Sequence, residues 1–152
     1  GMDKETLEKL VQLDIKRVKT VQMQGNFSDD SQRIAEVADG ADMVLDVLGG
    51  VINPVPTIAC INALRPGGTA VFVGGVQVDI PLPYSKIMVE ELNIRGSFMY
   101  PKHVPGELYR MMVAGILDLT PFQIHTFSLD EVNEAVAKSR TLKGFEQCVV
   151  IP

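Results

Sequence analysis

The side chains of this sequence with chemistry to offer are few and scattered. Cys60, Cys148, His103 and His125 are its only soft metal donors, and they lack the close paired spacing that a zinc site requires. They read as structural or surface residues, and no metal is predicted. Asp46 stands alone in the apolar run Met43-Val44-Leu45-Asp46-Val47-Leu48. A carboxylate so placed either acts on a bound ligand or, more commonly, caps a neighbouring helix or accepts backbone N–H groups. Gly49-Gly50 and Gly74-Gly75 each follow a valine-rich run. Such pairs serve as tight turns between strand and helix, or as places where backbone comes close to a ligand. No G-x-G-x-x-G turn occurs anywhere in the chain, so the usual glycine loop that holds a phosphate over a helix start is missing. Nothing in the sequence marks a catalytic residue.

These residues must be positioned by an alternation of apolar strands and amphipathic helices. Ile15–Val21, Met43–Leu48, Thr69–Gly74 and Leu92–Met99 are predicted strands, and the helical stretches between them argue for a parallel sheet. The fold class is α/β: an incomplete doubly wound, Rossmann-like sheet with helices on both faces and a short C-terminal strand-helix-strand extension. The order opens directly on a helix, as though a first strand, its glycine turn and a second strand had been cut away. Asp3 caps that helix, with Leu7, Leu10 and Val11 on one face to cover the sheet. Ser28 is placed to cap a second helix carrying Ile34, Val37 and Ala38 inward and closed by Asp39-Gly40. Asn53-Pro54 starts a third, with Val55, Ile58, Ala59 and Ile61 buried, and Arg65-Pro66-Gly67-Gly68 ends it. Tyr84–Glu91 is a short helix after Pro83. Pro105 starts another with Leu108, Met111 and Met112 inward, the methionine pair filling core. Phe122–Phe127 and Gln147–Ile151 are predicted strands, and Ser128-Leu129-Asp130-Glu131 is a capping box that opens a helix over Leu129–Arg140.

Composition bounds the class. The chain has 152 residues, 46% hydrophobic and 22% charged, enough for one core or a core with a small attached layer. A formal net charge of −5 disfavours nucleic acid and anionic membrane as partners, because both demand clustered Lys and Arg. Two cysteines without a pairing signature, and the lack of a signal peptide or long apolar span, point to a cytoplasmic, reduced protein. Gly1 ahead of Met2 has the look of a scar left by tag cleavage.

Four stretches in register carry a family resemblance: A-D-M-V-L-D-V-L-G-G (41–50), L-R-P-G-G-T-A-V-F-V-G-G (64–75), L-N-I-R-G-S-F-M-Y (92–100) and F-S-L-D-E-V-N-E-A-V (127–136). In order and spacing they resemble the C-terminal half of a zinc-type, medium-chain alcohol dehydrogenase. The resemblance implies residues 1–117 as part of a dinucleotide-binding domain and 118–152 as a segment that returns to the catalytic domain. It implies NAD or NADP across the C-terminal ends of the parallel strands. Val47, Leu48 and Gly49 would lie near the adenosine side, Val73, Gly74 and Gly75 near the nicotinamide ribose, and Ser97, Phe98 and Met99 near the nicotinamide ring. The complete parent would move a hydride between an alcohol and the nicotinamide. The zinc ligands of such enzymes belong to a domain outside this sequence, so no zinc is expected here and catalysis by this chain alone stays open. Relatives of this kind carry a basic residue after the glycine of the last loop, where this chain has Phe145 after Gly144. Ser97, Tyr100 and Lys102 do not have the Tyr-x-x-x-Lys spacing of short-chain reductases and are discounted. An alternative is a non-catalytic remnant acting in oligomerisation or weak nucleotide binding. A sheet lacking its central strands leaves an exposed edge, so a homo-oligomer is expected, formed through the segment around Leu92–Met99 as in relatives.

Overall fold

A computed structural model describes residues 1–152 and divides into two compact units, Gly1–Met99 and Tyr100–Pro152. In the first, helix α1 (Lys4–Leu13) is capped by Asp3, whose carboxylate accepts the Thr6 N–H at 3.1 Å. Helix α2 (Phe27–Ala38) is capped by Asn26, which accepts from the N–H groups of Ser28 and Asp29. Ser28 therefore lies inside the helix and is not the expected cap. An amide at position 26 reaches the free donors of the first turn, which leaves the hydroxyl no cap to make. Asp39 in left-handed conformation closes α2 through its N–H on Ala35.

Three parallel strands follow in the order β1 (Ala41–Asp46), β2 (Leu64–Phe72), β3 (Asn93–Gly96). Helix α3 (Val55–Asn62) crosses between the first two strands and α4 (Tyr84–Val89) between the second two. Ile61, Leu64, Ala70 and Leu92 form the buried core, with Ala41, Val44, Phe72 and Ile87 packed against it. All of this lies on one face of the sheet. On the other, Met43, Leu45 and Val47 are 60%, 56% and 66% exposed. The expectation of helices over both faces of this run is thus corrected: α2 packs on α3 and α3 on β1 and β2, which covers one side only.

Two further expectations change. Ile15–Val21 is no strand: Asp14 caps a turn through the N–H groups of Lys16 and Arg17, and the residues that follow join no ladder. A strand needs a neighbour to take its N–H and C=O groups; the sheet here ends at β1. Strand β2 begins earlier than Thr69. Leu64 pairs with Ala41 and Thr69 with Met43, so Arg65-Pro66-Gly67-Gly68 bulges out of the ladder instead of ending a helix outside it. Strand β3 is shorter than Leu92–Met99, and Leu92 is buried ahead of it.

In the second unit, α5 (Val104–Val113) is followed by β4 (Gln123–Ser128), a 3-10 turn (Leu129–Glu131), α6 (Val132–Ser139) and β5 (Glu146–Ile151). The predicted capping box is present: the Ser128 N–H and hydroxyl both donate to the Glu131 carboxylate. Those hydrogen bonds hold the Glu131 carboxyl below its ordinary range. The box opens the 3-10 turn, so the α-helix proper starts at Val132 and not at Leu129. Strands β4 and β5 pair in parallel, with α6 packed across both and Ala135 buried beneath it. Met111 and Met112, expected in the core, are 38% and 37% exposed. No helix of the chain is long and apolar enough to cross a membrane.

Candidate functional site

The C-terminal ends of β1, β2 and β3 come together as one rim. Residues 49 and 75 form a parallel bridge, the Gly50 N–H donates to the Gly75 carbonyl at 3.0 Å, and the Gln77 N–H to Val51 at 2.9 Å. The Val73 and Gly74 N–H groups both donate to the Asp46 carbonyl at 2.9 Å, and Ser97 N–H to the Phe72 carbonyl. The expected residues Val47, Leu48, Gly49, Val73, Gly74, Gly75 and Ser97 thus occupy three neighbouring strand ends. Phe98 is 94% exposed just beyond β3, and Met99 has a left-handed φ of 57°, a conformation a side-chain-bearing residue adopts at a cost.

The glycines of this rim have different physical causes. A Cβ on Gly74 would sit 2.1 Å from the Leu48 carbonyl oxygen, so the close approach of β2 to β1 requires glycine there. Gly49 and Gly75 have nothing within 4 Å of that position. Their bare backbone faces open space into which a ligand can come close.

Asp46 is explained by the protein itself. Its carboxylate accepts the Leu48 N–H at 2.9 Å and the Thr57 hydroxyl at 2.6 Å, tying the turn after β1 to the buried side of α3. Its two oxygens are satisfied, so it is a clamp and not a free acid. Burial, with the Asp46 carboxylate second, pushes the Cys60 thiol above its ordinary value; a protonated, partly buried thiol is a poor nucleophile.

Two features were missed from sequence. Asp30 is fully buried and accepts the Gln24 and Gly25 N–H groups at 2.9 and 2.8 Å; its place in the first turn of α2 behind a Gly-Asn break was the only signal. In the second unit, His125 Nε2 lies 3.1 Å from Glu146 Oε1, and the ladder sets Cys148 beside His125. This contact, first among several causes, holds the Glu146 carboxyl below its ordinary 4.5. Twenty-one residues separate the pair, a distance over which no local spacing rule operates. No group of three or more His, Cys, Asp or Glu side chains is arranged to hold a metal ion, so the donor set does not fit zinc.

Set beside known proteins, residues 2–115 match the family model described as zinc-binding dehydrogenase. This chain belongs to the zinc-binding dehydrogenase family. It is 31% identical over 132 residues to L-idonate 5-dehydrogenase of Vitis vinifera, covering 83% of this chain and 34% of that protein. To D-xylulose reductase A of Aspergillus oryzae it is 27% identical over 125 residues, or 80% and 34% of the two chains. The chain thus spans about a third of the length of these relatives, and it corresponds to the C-terminal portion of the family. Benzyl alcohol dehydrogenase from Acinetobacter calcoaceticus superposes with a TM-score of 0.77 at 19% identity, over 99% of this chain and 41% of that one. An E. coli CFT073 alcohol dehydrogenase solved with NADH gives 0.74 at 18% identity, over 99% and 42%. These likenesses establish the Rossmann-containing α/β fold.

Proposed function

We propose that this chain contributes the nicotinamide-side half of an NAD(P) site in an alcohol dehydrogenase that transfers hydride between an alcohol and the nicotinamide. The observation that carries the reading is the rim of three parallel strand ends, with Gly49 and Gly75 paired and open. Ligands of open parallel sheets lie at this end of the strands. In this reading residues 1–117 serve as the dinucleotide-binding part and 118–152 as the C-terminal segment. Val47, Leu48, Val73, Phe98 and Met99 supply apolar surface, Gly49 and Gly75 give backbone access, and the Ser97 hydroxyl stands at the end of β3. Gly74 holds the rim together. The bound dinucleotide supplies the hydride chemistry; these residues bind and orient it and exclude water.

Zinc is assigned no step here, because the donor set does not fit it. The two free cysteines accord with a reducing, cytoplasmic compartment.

Calorimetric titration of the chain with NAD(H) and NADP(H) tests the cofactor reading and sorts the two cofactors. Binding at micromolar strength, about −8 kcal/mol, supports it. Absence of heat at millimolar cofactor overturns binding by this chain alone.

A further inference from the structure

The ladder of β1 and β2 ends with the pair Asp46 and Phe72, and the rim lies just beyond it. Gly49 and Gly75 have nothing to pack with, since open space lies where a Cβ would be, and glycine has the most backbone freedom to lose. Hydrogen bonds must therefore set where these two residues sit. Asp46 gathers four such bonds. Its carbonyl accepts the Val73 and Gly74 N–H groups, and its carboxylate accepts the Leu48 N–H at 2.9 Å and the Thr57 hydroxyl at 2.6 Å. Thr57 is 1% exposed on the face of α3 that also buries Ala59 and Ile61, so its hydroxyl is a fixed anchor. The ladder itself does not need this anchor: Met43–Asp46 already pair with Thr69–Phe72 over the Ile61, Leu64 and Ala70 core. What the anchor reaches is the turn after β1.

We propose that Asp46 and Thr57 are positioning residues for the dinucleotide, an inference that rests on the cofactor reading above. The Thr57 hydroxyl orients the carboxylate, the carboxylate fixes the Leu48 N–H, and Gly49 is thereby held opposite Gly75 before any ligand arrives. Both carboxylate oxygens are occupied, so the pair acts through the backbone and not by touching the ligand. A rim ordered in advance loses less freedom on binding. Without the hydroxyl the rim must order as the dinucleotide binds, and affinity falls.

Thr57→Val keeps the side-chain shape and removes the donor. Hydrogen exchange at Gly50 and Gln77, whose N–H groups bond across the rim to Gly75 and Val51, should quicken about tenfold, the size expected for loss of a hydrogen bond to a charged group. The Leu45 and Val71 amides should keep their protection. The Kd for NADH should rise by a similar factor, and Thr57→Ser, which restores a hydroxyl, should return both readouts to the wild-type values. Ile87→Val, a trim beside the core, should lower the urea midpoint and move neither. Should Thr57→Val not fold, Asp46→Asn keeps an oxygen for Leu48, loses the charge, and should quicken the same two amides by less. Rim amides that stay protected, or exchange that quickens evenly through β1 and β2, overturn the proposal. So does a Kd that Ile87→Val raises equally or that Thr57→Ser does not restore. Absence of NADH binding by the wild-type chain overturns the cofactor reading instead, and the exchange measurements then judge by themselves whether Asp46 and Thr57 order the rim.

Discussion

Ile15–Val21 is richer in β-branched residues than Ala41–Asp46, yet only the second is a strand. Strand β1 has β2 beside it and Leu64, Ala70 and Ile61 beneath it. The earlier segment has neither. It is secured at its ends by side chains and the amino terminus: Asp14 caps its opening turn, the Gly1 ammonium donates to the Val21 carbonyl at 2.9 Å, and Asp30 holds Gln24 and Gly25. β-Propensity is realised only against a neighbour, so one segment depends on its ladder and the other on a few polar clamps.

That contrast can be broken first at the ladder. Gly74→Val drives a side chain into the Leu48 backbone where β1 and β2 meet, and should cost about 3 kcal/mol or more in urea unfolding. Gly75→Ala, one residue on and facing open space, should leave the midpoint nearly unchanged. Next is the clamp of the other segment. Asp30→Ala removes the acceptor shared by the Gln24 and Gly25 N–H groups and should cost about 1 kcal/mol. Hydrogen exchange should quicken at Gln24 and Gly25 while the β1 amides stay protected.

The same contrast explains what the sequence reveals. Thr69–Phe72 is legible because a continuous apolar and β-branched run ahead of a glycine pair reads as a central strand wherever it occurs. The Ser128–Glu131 box is legible because its partners are three residues apart. Ile15–Val21 misleads, since its pattern says what it could pair with and not whether a partner is there. The open face of β1 is hidden for the same reason. The bulge at Arg65–Gly68 hides behind residues that ordinarily end helices, and the His125–Glu146 pair depends on a ladder between distant strands. Within the candidate site, the residues were found through family resemblance, whereas the split between Gly74, required by packing, and Gly75, left open, needed coordinates.

Smaller effects sharpen the comparison. Lys19→Pro removes an N–H that serves no ladder and should change stability by less than about 0.5 kcal/mol. Val71→Pro, by contrast, deletes a donor from the central strand β2, and the soluble yield should fall sharply. The smallest effect concerns β4 and β5. The Glu146 carboxyl is lowered when folded, so its contact with His125 contributes above the ordinary carboxylate range and is lost as pH falls through the lowered folded value. Amide shifts of β4 and β5 should therefore titrate with acid, and Glu146→Gln should flatten that limb.

The most direct measurement of the central claim is a titration of the isotopically labelled chain with NADH, followed amide by amide. Cofactor at the rim should shift Gly49, Gly75 and Ser97 together and leave the β4–β5 amides still, and Gly75→Leu should abolish those shifts while the fold persists. Shifts spread evenly over the chain, or confined to residues away from the three strand ends, would contradict the assignment of this rim as a cofactor half-site.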